Sequence, residues 1–184
     1  MKFLEKDLEE IIWDVCRTGN TKPLLERGLD IKGHFRRQLY IGAYGIADIV
    51  SFKFGYWNYA DELLFETEDI DPCNIPDYGR ALEVTVFELK RNSVDAITFM
   101  QAVGYVKGIQ KYLANRGTEG YKIFYKIVLI GATIEDTGNF IFIPDIFKGV
   151  SFLTYEYQFN GINFLKQKNY GLVEDRFKYK NKQI

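Results

Sequence analysis

The sequence has a single histidine, His34, among 184 residues. No serine or cysteine stands at a spacing that supports a nucleophilic triad with it. His34 is therefore read as a strand-end side chain with a local partner. There are only two cysteines, Cys16 and Cys73, and no Cys-x-x-Cys pair. That excludes a disulfide framework and points to a reducing, cytoplasmic compartment. No run of 18 apolar residues occurs, so no membrane-spanning segment is expected, and the charged opening MKFLEKDLEEII is unlike a signal peptide. Charge of one sign is also missing. With 24 basic and 25 acidic residues the formal net charge is −1, which argues against a protein that coats nucleic acid non-specifically. Repeats and low-complexity stretches are absent.

What is abundant is aromatic: 15 Phe and 13 Tyr in a chain that is 47% hydrophobic. This is globular composition with a β-rich core. The length suits one domain, over residues 1–170, with a basic tail over 171–184 that carries Arg176, Lys178, Lys180 and Lys182. Residues 3–17 have the helical spacing of Leu4, Leu8, Ile11, Ile12 and Val15. Glu5 borders that stripe, while Glu9, Glu10 and Asp14 are placed toward solvent. Strands are expected at His34–Ile41 and Gly45–Phe54, joined at Gly42-Ala43-Tyr44, and at Arg80–Arg91. Residues 55–80 read as a long acidic and aromatic insertion between core strands, with one short element near Asp61–Glu66. Its Glu66, Glu68, Asp69 and Asp71 read as a solvated acidic loop. Ser93 is expected to cap a helix running to about Arg116. Tyr121–Ile130 reads as a strand buried on both faces. Further strands are expected at Phe140–Ile143, Phe152–Phe159 and Ile162–Leu165, the last two joined by Asn160-Gly161. The order is α/β: a mixed sheet with helices on its faces and extra C-terminal strands.

Two short segments carry chemistry. Glu88 and Lys90 are two apart on a strand, so both side chains leave one face. Alone, Glu-Leu-Lys is a common strand-end salt pair. Asp48 lies within Gly45-Ile46-Ala47-Asp48-Ile49-Val50, a carboxylate inside an apolar strand, where Asp is disfavoured. Neighbouring strands lie about 4.8 Å apart, so Asp48 and Glu88 can reach one cation. Phosphodiester hydrolysis requires such carboxylates, a positioned water, and positive charge for the developing oxyanion.

Gly45-x-x-Asp48 followed by Glu88-x-Lys90, after a helix bearing a Glu, resembles the PD-(D/E)XK nuclease superfamily. Gln101-Ala-Val-Gly-Tyr105 is similar to the Gln-x-x-x-Tyr motif of its RecB-type and NucS-like members, and Phe35-Arg36-Arg37-Gln38 also looks NucS-like. The resemblance covers roughly residues 3–130. The literal Pro-Asp is replaced by Ala47-Asp48, and the 55–80 insertion is longer than in many members. It implies a restriction-endonuclease-like αβββαβ core and a Mg²⁺- or Mn²⁺-dependent DNA endonuclease, with RNA left open and a homodimer as the family expectation. Asp48, Glu88 and the Leu89 carbonyl are then the metal ligands, and Lys90 positions water and stabilises charge. Glu5, with Glu9 as the alternative, completes the site, supported by Gln101 and Tyr105. The rival reading is a nuclease-fold module that binds nucleic acid or protein without turnover.

Overall fold

The computed structural model describes residues 4–58, 63–64, 78–158 and 161–167. Helices α1 (Glu5–Cys16) and α2 (Lys22–Glu26) precede strands β1 (His34–Tyr40), β2 (Ile46–Asn58), β3 (Leu63–Leu64) and β4 (Tyr78–Leu89). The short β5 (Ser93–Val94), helix α3 (Ala96–Ala114), β6 (Tyr121–Gly131) and β7 (Thr133–Ile134) follow. Helix α4 (Ile143–Ile146) and strands β8 (Val150–Gln158) and β9 (Gly161–Lys166) complete the described chain. The central sheet is mixed, in the order β1-β2-β4-β6-β8-β9 with β3 appended to β2. β1, β2 and β4 pair antiparallel, β4, β6 and β8 run parallel, and β9 returns antiparallel on β8. The expected α/β class is what the chain adopts. Among the described residues no helix is long and apolar enough to cross a membrane.

Helix α1 forms because Leu8, Ile12 and Cys16 recur every four residues and are all buried. Its first turn is held by Asp7, whose carboxylate accepts from the Leu4 N–H at 2.7 Å. This stripe packs with Leu24 and Leu29 on Ile49, Phe87, Leu89, Ile130 and Leu153 of the sheet. On the opposite face Ala102, Tyr105, Ile109 and Leu113 of α3 cover Val50, Val84, Val86 and Leu129. The sheet is therefore the middle of three layers. Two-sided burial of β6 holds only from Leu129 onward; Tyr121–Lys126 and Val128 are half-buried.

Four expectations are corrected. Ser93 does not cap α3, because Ser93 and Val94 pair in parallel with Thr133 and Ile134. Asp95 caps it instead, accepting from the Thr98 N–H and hydroxyl, both at 2.7 Å. Phe140–Ile143 is not a strand. Asn139 turns left-handed at φ 61°, a 3-10 turn spans Phe140–Phe142, and Pro144 then suits the start of a short helix. The 55–80 insertion is shorter than expected at both ends. Its flanks belong to β2 and β4, which pair out to Asn58 opposite Tyr78. Within it Leu63–Leu64 pairs with β2, while the acidic stretch around Asp69 and Asp71 lies outside the described residues, as does the tail 171–184. Glu9, placed toward solvent by the helical stripe, is buried at 6% exposure, because β1 brings the Arg37 guanidinium and the Gln38 amide to meet it.

Candidate active site

β2 begins and β4 ends at the same edge of the sheet. Their ladder reaches Ile49 opposite Phe87 and stops. One step further Asp48 replaces the missing strand partner: its Oδ2 accepts from the Leu89 N–H at 2.8 Å. A buried N–H left without a backbone partner is costly, so this contact explains why an Asp sits at the start of an apolar strand. An extended residue's N–H and C=O face the same neighbour, so the Leu89 carbonyl also points toward Asp48.

Glu88 is 1% exposed. Its Oε1 accepts from the Lys90 ammonium at 2.8 Å, and its Oε2 is buried without a hydrogen-bond partner. Burial pushes the Glu88 carboxyl up to about 7, the neighbouring Asp48 charge pushes the same way, and Lys90 opposes both. Asp48 is pushed up to about 6, chiefly by burial and further by Glu9 and Glu5, against the Leu89 N–H and Lys90. For Lys90 burial favours the neutral amine, but the hydrogen bond to Glu88 and the charges of Glu88, Glu5 and Asp48 outweigh it. Lys90 is thus held as an ammonium, a proton donor rather than a base.

Helix α1 supplies two carboxylates. Glu5 is half-buried and accepts from the Arg91 N–H at 3.2 Å. Glu9 pairs with the Arg37 guanidinium and accepts from Gln38 Nε2 at 2.8 Å. Gln38 Nε2 also lies 3.5 Å from Asp48 Oδ1. Both Glu5 and Glu9 act electrostatically on Asp48. On the other side Tyr105 is buried, and its hydroxyl accepts from Gln101, whose side chain reaches in from the surface. Burial raises the Tyr105 phenol, opposed by Gln101 and reinforced by Glu88 and Asp48, so the hydroxyl stays protonated.

The structure therefore gathers Asp48, Glu88, Leu89, Lys90, Glu5 and Tyr105 at one sheet edge, with Gln101 joined through Tyr105. His34 is not among them; it is exposed and meets Phe54 edge to face. Arg36 is exposed as well. Sequence reasoning gave no role to Gln38. Its backbone is left-handed, at φ 49°, where a non-glycine residue is uncommon. Phe35 and Ile49 pack on the α1 side, whereas Leu39 and Ala47, of the same parity, pack on the α3 side. The in–out alternation of both strands inverts across Gln38 and Asp48 while the register holds, Arg37 opposite Ile49 and Leu39 opposite Ala47. That inversion turns Gln38 toward Glu9 and Asp48. Glutamine is not a residue that advertises positive φ, so the sequence carries little sign of it.

Gly45 is required by the same corner. Its φ of 103° with ψ of −150° belongs almost to glycine alone, and an added Cβ would lie 3.2 Å from Tyr105 Cε1. Gly45→Ala is expected to destabilise the fold by about 1–3 kcal/mol, read as a lower urea midpoint with an unchanged slope.

Among the described residues no three His, Cys, Asp or Glu side chains converge into a metal site unaided. Mg²⁺ does not need three, since one or two carboxylates with waters and substrate oxygens suffice. The donors present fit that demand. Among the described residues Glu88 Oε2 has no hydrogen-bond partner and Asp48 Oδ1 has only the long Gln38 contact, and extended geometry puts the Leu89 carbonyl on the same side of β4 as its N–H, which meets Asp48. Four carboxylates (Asp48, Glu88, Glu5, Glu9) set against Lys90 and Arg37 leave an excess of negative charge for a cation to offset. No protein-family model, no curated protein and no solved structure matches the chain.

Proposed function

We propose that the protein is a metal-dependent endonuclease of the PD-(D/E)XK type that hydrolyses DNA phosphodiester bonds. The observation that carries this reading is Glu88: a fully buried carboxylate with one oxygen unpartnered, beside Asp48, two residues before an ammonium on the same strand. The element order supports it. With α2, β3 and β5 set aside as additions, the order of a helix, three antiparallel strands, a helix and a parallel strand is in keeping with the αβββαβ core the family resemblance implies.

In this reading Asp48, Glu88 and the Leu89 carbonyl would hold Mg²⁺ or Mn²⁺, and the ion would supply Lewis-acid polarisation of the scissile phosphate and a more acidic water. Lys90, fixed as an ammonium, donates to the attacking water and to the oxyanion that develops on phosphorus. The water's proton passes to the surrounding carboxylates, since Lys90 has no acceptor. Glu5 faces the same space from α1. Tyr105, held by Gln101, keeps a protonated hydroxyl near Glu88 and Asp48, where it positions groups and takes no proton.

Cleavage of single-stranded, flap, mismatched and junction DNA with Mg²⁺ or Mn²⁺ is the direct test. The net charge of −1 favours a second reading, the same fold binding DNA without turnover. Wild-type protein that binds those substrates and cuts none of them with either metal decides for it.

Metal binding has a readout of its own. Mn²⁺ at a hundred times its Kd should stabilise the fold by roughly 2.7 kcal/mol, a rise in Tm of about 5 °C or more for a chain of this size. Asp48→Asn should remove that rise. An equal rise in the variant places the ion elsewhere.

A further inference from the structure

A cavity of about 610 Å³ opens on the α1 side of the sheet, away from the metal centre. Its floor is made by the central strands, and its composition is anomalous. Interior positions of central strands covered on both faces are normally apolar. Here they carry Ser51 and Thr85, both buried, and the ion pair of Glu83 with Lys126. Cross-strand register arranges these side chains in rows. Lys53 lies opposite Glu83, Ser51 opposite Thr85 opposite Lys126, and Phe87 opposite Val128 opposite Ser151. The floor thus runs from a charged row, through a row that joins two hydroxyls to Lys126, to a mainly apolar row that ends in Ser151. Helix α1, with Leu24 and Leu29, covers the apolar end, where Phe87, Leu89, Ile130 and Leu153 are buried. Lys32, from the segment after α2, and Lys166, from β9, also line the cavity, Lys166 in the row of Leu89, Ile130 and Leu153. Lys32 has Asp30 at 3.6 Å, a loose and exposed pair.

We propose that this cavity binds a nucleoside phosphate. Four lysines against Asp30 and Glu83 give the lining an excess of positive charge. Ammonium groups and hydroxyls are donors to phosphate oxygens. Val128, half-buried, with the small exposed parts of Phe87 and Leu153, gives a flat, weakly polar body an apolar wall to lie against. The volume lies in the range of small-molecule sites. Thr85 and Phe87 face the cavity, whereas Val86 packs on the α3 side, so Glu88 and Lys90, which share the parity of Val86, leave the opposite face of β4, and the inference does not rest on the nuclease reading.

Calorimetric titration with adenosine, guanosine, cytidine and uridine diphosphates, in chelator and without metal, tests it. At least one diphosphate should saturate, and more tightly than inorganic phosphate or the free nucleoside. Its affinity should be unchanged in Asp48→Ala, which separates the cavity from the metal centre. It should fall at least tenfold in the double variant Lys32→Glu, Lys166→Glu, both exposed positions, and in Ser51→Leu, which fills the floor. Thr85→Val, nearly isosteric, should weaken it severalfold and guards against a misfolded Ser51→Leu. The proposal is overturned if no diphosphate saturates or if the cavity variants bind as the wild type does. Inorganic phosphate binding as tightly as every nucleotide reduces the cavity to a simple anion site and overturns it too. So does a short DNA duplex binding there when free nucleotides do not.

Discussion

Lys90→Ala is expected to lower Mg²⁺-dependent DNA cleavage at least a thousandfold. Removing one preorganised donor to a developing oxyanion costs about 10²–10³ in rate. Here a second loss is added. Among the described residues the Lys90 ammonium, 2.8 Å away, is the only side-chain partner of the Glu88 carboxylate, and it opposes the rise of the Glu88 carboxyl. Without it Glu88 holds its proton more tightly and competes less well for a cation. Lys90→Ala should therefore weaken metal binding as well as the chemical step, whereas Asp48→Ala should act mainly through the metal. Single-turnover cleavage over a range of Mg²⁺ concentrations separates the two. Lys90→Arg keeps the charge, so it should restore metal binding more than rate, because a planar guanidinium does not reproduce the position of an ammonium. Cleavage that persists in both alanine variants refutes the assignment of this site.

The second large effect is on stability and has the opposite sign. A carboxyl raised in the folded state favours folding while protonated, and that contribution is lost as pH rises through the folded value. For Glu88 the window runs from an ordinary value of 4.5 to about 7. A shift of that size corresponds to about 3 kcal/mol. In metal-free buffer the wild type should lose on the order of that amount across the window. Glu88→Gln, which carries no charge to desolvate, should lose little. At pH 8 the variant should be the more stable protein by about 2–3 kcal/mol, measured by urea unfolding in chelator. A variant less stable than wild type at pH 8 would show that the buried charge is better solvated than its surroundings indicate. Metal affinity mirrors this. Below about 7 each pH unit should cost about tenfold in apparent affinity, and more steeply below about 6, where Asp48 also takes a proton.

Much of this site is legible in one dimension because β-strand geometry is simple. Period-two alternation puts Glu88 and Lys90 on one face, and an Asp in an apolar run marks Asp48. Helical spacing puts Gln101 under Tyr105, and the structure joins them by a hydrogen bond. Glu9 is not legible this way. Its burial depends on Arg37 arriving from β1, twenty-eight residues on, and on Gln38 adopting a left-handed backbone. Nor is the start of α3, since Ser93 and Asp95 are both good caps and the β5–β7 pairing decides between them. Phe140–Ile143 misleads for a related reason. Its aromatic and branched residues read as strand, but Phe140 is needed as a plug stacked on Phe152, with ring centroids 4.7 Å apart, and a tight turn delivers it there.

The inverted backbone at Gln38 bears on self-association. β1 is the outermost strand on its side of the described sheet, and outermost strands with flat, unpaired edges recruit other chains into fibres. Three devices that blunt such an edge meet in β1. It spans seven residues, Arg36 stands exposed on it, and its pleat breaks at the fifth residue. Gln38→Val would favour an ordinary extended backbone there, and would offer a longer, flatter edge to a neighbouring molecule. The twist that aims one glutamine at two carboxylates also keeps this flank from acting as a template.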